Sequence, residues 1–251
     1  MRGARTGNPA GEGNSFSEYA TPAATLIPML RPALVLLLCC ATGAIARAQG
    51  ADLFDGFSEG WRRHWREEKF LTKPTRYEVV LDGGRPVLHA TSRTAHAGLL
   101  RASEHVAPRH AQLTWRWKIT APLTGNTRER ERAGDDYAAR VFVVFETSAI
   151  PLRTRAINYV WAAHEPAGAT YPSPYTRNVG MVVVRSGAAE AGRWHTESRD
   201  VLADYRRHFG EPPTRISAVA VLVDTDNTHR EAEAWFADLA FALSPAATAA
   251  P

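Results

Sequence analysis

Residues 134–146, GDDYAARVFVVFE, place two adjacent carboxylates in front of a run in which large apolar residues alternate with small or charged ones. Side chains two positions apart on a β-strand lie on the same face of the sheet. A strand through this run therefore has one apolar face, with Tyr137, Val141 and Phe145, and an opposite face that carries Asp136 and Arg140. We expect the apolar face to pack in the core of a β-sandwich.

The same period of two recurs along much of the chain. In residues 113–119, Trp115 and Trp117 share one face while Arg116 and Lys118 share the other, which is typical of a half-exposed strand. The sequence DGGR separates two alternating segments and is typical of a hairpin turn. The predicted strands are residues 77–81, 86–92, 113–119, 138–145, 156–163, 179–185, 216–223 and 234–243.

One helix is predicted among these strands. Val201, Tyr205 and Phe209 recur every four residues, after a possible N-cap at Asp200 and before GEPP at 210–213. Turn-rich segments separate most of the strands. This pattern predicts an all-β, antiparallel β-sandwich with one short helix rather than alternating β and α units.

The N-terminal region has the order of an export signal. Arg31 precedes an apolar run at 33–41, and small residues follow up to Ala-Arg-Ala at 46–48. Such a run is too short for a transmembrane helix and is typical of a secretory signal peptide. We predict a periplasmic or secreted protein with a signal region at 1–48, one domain at 49–243 and a disordered tail at 244–251. The long segment ahead of the run leaves both Met1 and Met29 as candidate translation starts.

Charge and cysteine content limit the class of partner. Residues 1–48 contain four arginines and two glutamates, so their removal lowers the formal net charge from +4 to +2. The net charge of the mature chain is small, and nucleic acid is not expected as a partner. Cys39 and Cys40 lie in the apolar run, so the mature chain has no disulfide. The alternative, a lipoprotein signal, is disfavoured by Leu37 and Leu38, where small residues are usual.

Candidate ligand-binding residues lie on the polar face of two predicted strands. If Tyr159 and Trp161 point into the core, Asn158 joins the face that holds Asp136 and Arg140. An amide, a carboxylate and a guanidinium together can bind sugar hydroxyls or a carboxylate group. The alternative is a hydrogen-bonded polar face that binds nothing, with the aspartates as turn residues and the arginine as their ion-pair partner.

A loop with the sequence TYPSPYTRN, residues 170–178, offers a second set of candidates. Its prolines stiffen the loop, and Tyr171 or Tyr175 can present a flat surface for a pyranose ring. Arg177 can bind an anion. The alternatives are tyrosines that pack over the end of the sheet and an arginine that is simply solvated.

Few motifs of metal binding or catalysis are present. DTDN, residues 224–227, is similar to the start of an oxygen-ligand cation loop but lacks the glycine and distal glutamate of an EF-hand, so an Asx-rich turn is the preferred interpretation. The sequence has no HExxH, zinc pattern, P-loop or dinucleotide fingerprint. The common enzyme classes are therefore disfavoured.

Six motifs in combination resemble one bacterial family, domain of unknown function 3047, over residues 53–243. They are GDDYAARVFVVFE, NYVWA, PSPYTRNVGMVVVRSG, EAGRWHTESRDVLADYRRHFGE, AVAVLVDTDNT and AEAWFADLAF. This resemblance implies no established activity or catalytic residue. LFDGFSEGW and AWFADLAF are also similar in style to jelly-roll carbohydrate-binding modules, whose terminal strands pair and often hold calcium. That likeness implies that the β-sandwich is jelly-roll-like and that structural calcium lies near Asp55 and Asp238.

The function that these features favour is a non-catalytic binding module for a glycan or other cell-envelope polymer. The ligand class follows from fold style, which is an analogy. The alternative is an envelope polysaccharide lyase or glycoside hydrolase that uses Asp135 or Asp136 with Arg140 and a loop tyrosine. A third hypothesis is an envelope assembly protein without a small ligand.

Overall fold

The computed structural model describes residues 57–58, 60–69, 73–106, 112–146, 154–213 and 215–242. The strands are β1 Arg66–Lys69, β2 Arg76–Asp82, β3 Arg85–Arg93, β4 His96–Val106, β5 Gln112–Ile119, β6 Ala139–Glu146, β7 Arg155–Ala162, β8 Thr170–Pro172, β9 Val179–Ser186, β10 His195–Asp200, β11 Arg215–Asp224 and β12 Glu231–Ala242. Helix α1 covers Val201–Phe209, and short 3-10 turns cover Trp61–Arg63 and Arg132–Gly134. The predicted signal region and C-terminal tail lie outside the described residues. Within the described part of the chain, no helix is long and apolar enough to cross a membrane.

The strands form two sheets. The seven-stranded sheet has the order β1-β4-β11-β6-β7-β9-β8, and the five-stranded sheet has the order β10-β5-β12-β3-β2. The predicted β-sandwich with one helix is confirmed. It is not wholly antiparallel, because β9 runs parallel to β7. The chain passes from β7 to the edge strand β8 and returns as β9 between the two, so β9 is antiparallel to β8 and parallel to β7.

The main core lies between the two sheets. Trp115 of β5 packs on Tyr159 of β7 with ring centroids 5.3 Å apart, and Trp117 packs on Trp161 at 5.8 Å. The predicted inward direction of these four aromatic residues is confirmed. A second buried cluster occupies the outer face of the seven-stranded sheet. It contains Leu100, Tyr137, Phe142, Val144, Ala156, Val160, Ala162, Tyr171, Val179, Met181, Val183, Ala218, Ala220 and Leu222.

Strand β6 contributes to both clusters, as its period of two requires. Val141 and Phe145 lie in the main core, in agreement with the sequence. The prediction for Tyr137 is wrong, because this residue belongs to the outer cluster. The strand begins only at Ala139, and an irregular stretch precedes it, so the alternation does not extend back to Tyr137.

The predicted hairpin and helix are both present. Strands β2 and β3 are joined through Gly83 and Gly84, whose φ values of 60° and 78° suit the tight turn of a two-residue hairpin. The Asp200 side chain accepts hydrogen bonds from the backbone N–H groups of Leu202 and Ala203, both at 3.0 Å, and so caps α1. Gly210, with φ 76°, ends the helix in the left-handed region.

Candidate functional site

The charged residues of the GDDYAAR stretch form a buried ion-pair group. Arg140 is 3% exposed, and its Nε donates to Asp224 Oδ1 at 2.9 Å while its Nη2 lies 2.9 Å from Asp224 Oδ2. The same Nη2 lies 3.3 Å from Asp135 Oδ1. Arg140 thus forms a bidentate ion pair with Asp224, the strong form of an arginine–carboxylate pair, and also contacts Asp135.

Asp136 has different partners from its neighbour Asp135. Its carboxylate accepts hydrogen bonds from the backbone N–H and side chain of Asn227 and of Thr228, at 2.6 to 3.3 Å. These donors belong to the turn between β11 and β12. The two adjacent acids therefore do not act as a pair: Asp135 contacts Arg140, and Asp136 holds a turn.

Burial shifts the ionisation of this group. It raises the pKa of Asp135 to about 6 and that of Asp224 to about 7, and the nearby Arg140 guanidinium opposes both shifts. Burial acts to lower the pKa of Arg140, but the Asp135 and Asp224 carboxylates keep it above its ordinary value. The arginine therefore stays charged, while these two carboxyls titrate close to neutral pH.

Asn158 shares the outer face of the sheet with Arg140, as the sequence predicts, but lies further along it. It is opposite Phe142 in register and fully buried. Its Nδ2 lies 3.4 Å from the Met181 sulfur, and its Oδ1 has no hydrogen-bond partner among the described residues. The structure thus places this amide in the outer apolar cluster.

The tyrosines of the TYPSPYTRN loop have separate environments. Tyr171 is buried, its hydroxyl lies 2.8 Å from that of Tyr137, and burial raises its pKa to about 12. Tyr175 is half-buried, and its hydroxyl lies 3.0 Å from Asn227 Oδ1, in the turn that Asp136 holds. Arg177 is exposed. The structure therefore brings Tyr175 and Asp136 together through Asn227, and leaves Arg177 apart.

Two long connections bury this end of the outer face. Glu129, between β5 and β6, is 2% exposed and accepts hydrogen bonds from the backbone N–H groups of residues 163–165 at 2.6 to 3.0 Å. Tyr137 also reaches Glu129, through its hydroxyl and the Glu129 carbonyl at 3.1 Å. The connection from β5 to β6 is thus bound to the one from β7 to β8. Burial of a charged strand face by such connections leaves no periodic pattern in the sequence, so it could not be predicted.

The residues expected near calcium are only partly described. Asp55 lies outside the described residues. Asp238 lies at an irregularity of β12, with φ 54°, and its carboxylate is 3.1 Å from Arg85 and 3.0 Å from Arg116. Two arginines already neutralise this carboxylate. Calcium binding by Asp55 and Asp238 stays a prediction.

Sequence reasoning missed a group on the outer face of the five-stranded sheet. We call it the tryptophan face and define it by Asp82, His89, Arg116, Lys118, Trp194 and Trp235. Trp235 of β12 stacks on His89 of β3, with ring centroids 4.7 Å apart and planes 12° apart. Lys118 Nζ lies 4.5 Å from the Trp235 ring centroid and 5.2 Å from that of Trp194. One ammonium group therefore lies close to both indole rings.

Polar contacts fix Trp194 in this arrangement. Its Nε1 donates to Asp82 Oδ2 at 3.0 Å, and the Arg116 guanidinium lies 4.7 Å from its ring centroid. Lys118 forms an ion pair with Asp82. Hydrogen bonds from Lys118 and Trp194 lower the pKa of Asp82 below its ordinary value. The face thus has two half-buried indoles with a carboxylate and two cations around them.

The strand period explains the tryptophan face and could have located part of it. In β12, Phe236 points into the core, so its neighbour Trp235 points outward, opposite Lys118 of β5. An aromatic residue on the solvent side of a predicted strand was the available signal. Trp194 precedes β10, a strand that the sequence did not predict, so no signal placed it beside Trp235.

Comparisons with known proteins identify a family but no characterised relative. A family described as "Protein of unknown function (DUF3047)" matches residues 63–240. A search of curated proteins gives no significant match.

Three solved structures show low similarity to this chain. A family 11 carbohydrate-binding module of the cellulosomal cellulase Lic26A-Cel5E of Clostridium thermocellum is 9% identical, with a TM-score of 0.46, 79% of this chain covered and 97% of that one. An exo-beta-agarase is 10% identical, with a TM-score of 0.28 and 70% and 23% covered. The carbohydrate esterase vb_24B_21 from Shiga toxin-encoding bacteriophage phi24B is 14% identical, with a TM-score of 0.22 and 70% and 100% covered. Sequence identities and TM-scores this low do not indicate a shared function.

Proposed function

The chain belongs to the DUF3047 family, whose description assigns no activity, and we propose that it is a non-catalytic module that binds a glycan, such as a cell-envelope polysaccharide, on the tryptophan face. The observation that carries this proposal is the pair of half-buried indoles, Trp194 and Trp235, on either side of Lys118 at the outer surface of a sheet. Buried aromatic residues serve the core, but these two lie outside it.

The chemistry of this face suits a sugar chain. An indole ring presents a flat apolar surface, against which the C–H groups of a pyranose ring can stack. Asp82 offers carboxylate acceptors, while Arg116 and Lys118 offer N–H donors, for the hydroxyl groups around that ring. The strands hold these groups on a sheet surface, and a surface of this kind can accommodate several sugar units of a polymer.

The residues predicted earlier have other roles in this proposal. Burial and existing hydrogen bonds or packing support a structural role for Asp136, Arg140, Asn158 and Tyr171. Tyr175 is half-buried and Arg177 is exposed, so they stay proposed ligand contacts at a separate position.

A glycan array tests the proposal. We expect the wild-type protein to bind a subset of polysaccharides, and Trp194→Ala and Trp235→Ala each to weaken that binding. Leu81→Ala is the matched control, because Leu81 is a large apolar side chain that is 75% exposed and is not part of the tryptophan face. Wild-type binding that both tryptophan variants retain would contradict the assignment of the face.

A polysaccharide lyase or glycoside hydrolase is the second candidate. The observation in its favour is that burial brings the pKa of Asp135 to about 6, in the range of a general acid, beside Arg140. Detection of released sugars after incubation with the array glycans, and loss of that release in Asp135→Asn, would establish this alternative.

A further inference from the structure

Three potential metal ligands meet where β4 begins and β11 ends. His96 is the first residue of β4 and lies opposite Asp224, the last residue of β11. Asp226 follows two residues later, and one ligand atom from each of the three lies within 4.8 Å of the others. All three belong to the seven-stranded sheet or its turn, whereas the tryptophan face belongs to the other sheet.

The distance between two of these ligands suits a shared ion. His96 Nδ1 lies 3.4 Å from Asp226 Oδ1. Two ligand atoms about 2.1 Å from one ion, at a tetrahedral angle, are about 3.4 Å apart. Asp224 can take part as well. Its Oδ1 accepts from Tyr137 N and Arg140 Nε, while its Oδ2 has the single contact to Arg140 Nη2, which leaves a lone pair on that oxygen among the described contacts.

The charges around this group favour a cation. Asp135, Asp136 and Asp224 are 6%, 0% and 1% exposed, and Arg140 pairs with the first and the third. The described donors to Asp136 are neutral groups of Asn227 and Thr228. Two of these three buried carboxylates thus share one guanidinium and the third has only neutral partners among the described residues, and an excess of buried negative charge is unfavourable unless a cation or a proton compensates it.

The hydrogen bonding of Asp135 is a further observation that supports the same conclusion. The Asp135 side chain is 8% exposed, and its Oδ1 is buried without a hydrogen-bond partner among the described residues. Its only described contact is with Arg140 Nη2, the nitrogen that also contacts Asp224 Oδ2. A buried oxygen without a hydrogen bond therefore lies next to the proposed ligand Asp224.

We propose that His96, Asp224 and Asp226 bind one divalent transition-metal ion, such as Zn²⁺ or Mn²⁺. An imidazole nitrogen with carboxylate oxygens suits these ions, whereas Ca²⁺ and Mg²⁺ prefer oxygen ligands alone. Asp135 supplies the further negative charge. The ion joins β4 to the turn that follows β11, and so stabilises this end of the sheet.

Calorimetric titration of the full chain, after treatment with a chelator, tests the proposal. We expect one Zn²⁺ or Mn²⁺ per chain, bound more tightly than Ca²⁺ or Mg²⁺. His96→Gln and Asp226→Asn should each weaken binding by at least about tenfold, since even residues that only orient a ligand contribute that much. His89→Gln, which removes a histidine of the tryptophan face, is the matched control and should bind as the wild type does.

Several results would overturn the proposal. The first is that the wild type binds no stoichiometric Zn²⁺ or Mn²⁺. The second is that both His96→Gln and Asp226→Asn keep the wild-type metal affinity. The third is that the wild type prefers Ca²⁺ over Zn²⁺ and Mn²⁺. Circular dichroism checks that each variant folds. If a variant does not fold, the visible spectrum of the wild type with Co²⁺ takes the place of that variant's titration. Absorption typical of nitrogen ligation supports the site, and a spectrum without such absorption contradicts the site.

Discussion

A residue's environment decides what its charge can do, and Arg140 shows this most clearly. The alternation in GDDYAAR correctly places Arg140 on the face opposite Val141 and Phe145. Its burial was not predictable, because it depends on connections distant in sequence and on Asp224, which lies 84 positions away. The arginine that the sequence offered as a ligand contact is mainly an internal partner of two acids.

Removal of this guanidinium should be costly. We expect Arg140→Ala to lower the free energy of unfolding by about 3–5 kcal/mol, because it leaves Asp135 and Asp224 buried without their cation. Urea denaturation in the presence of a chelator measures this without any contribution from bound metal. The control is Arg177→Ala, at an exposed arginine, which should change stability by no more than about 0.5 kcal/mol. Equal stability of the two variants would show that Arg140 is not buried.

The opposite face of the same strand gives a second test. Phe145 is fully buried, and its ring centroid lies 4.5 Å from that of Tyr205 on α1. Phe145→Ala should lower the free energy of unfolding by about 3–5 kcal/mol through lost burial and a cavity. Phe145→Leu keeps most of the apolar volume and should cost clearly less. A Phe145→Ala variant that melts like the wild type would mean that the faces of β6 are inverted.

At the scale of elements, strands with one apolar face could be predicted and the others could not. Strand β5 alternates strictly in burial, and its prediction is confirmed. Strand β4 was missed because residues 97–100 are buried on both faces, so no alternation remains. Strand β10, HTESRD, was missed because it is a polar edge strand recognisable only from its pairing with β5. The tryptophan face, which includes the residue just before β10, was missed for the same reason.

The helix signal was local and complete, and its cap can be tested. Asp200→Ala should destabilise the protein by about 1 kcal/mol, because it removes the acceptor for two N–H groups at the start of α1. Asp200→Asn retains a side-chain oxygen and should be close to wild type in thermal denaturation. If the asparagine variant loses as much stability as the alanine variant, the cap is not the reason for the effect.

At the scale of the whole molecule, the two outer faces of the sandwich differ. The seven-stranded sheet has a buried outer cluster, with the Arg140 ion pairs and the proposed metal ligands at one end. The five-stranded sheet has the tryptophan face on its outside. The sequence predicted the sandwich from its alternation, and it placed the ligand on the seven-stranded sheet, whereas the function proposed here places it on the five-stranded sheet. Long connections between strands, rather than any periodic pattern in the sequence, determine which outer face is buried.

Export is a property of the whole chain and rests on the N-terminal sequence alone. The order of Arg31, the apolar run and Ala46-Arg47-Ala48 predicts a mature N-terminus near Gln49. Mass spectrometry of the protein purified from its native host should find that N-terminus in a periplasmic or secreted fraction. An intact N-terminus ahead of Arg31, recovered from the cytoplasm, would contradict export.

The most direct test of the central claim is a calorimetric titration with the polysaccharide that binds best on the array. We expect the double variant Trp194→Ala/Trp235→Ala to fold normally and to weaken binding by about 5- to 150-fold, since each stacking contact is worth roughly 0.5–1.5 kcal/mol. Leu81→Ala should bind like the wild type. Equal affinity of the wild type and the folded double variant would show that the glycan does not bind on the tryptophan face.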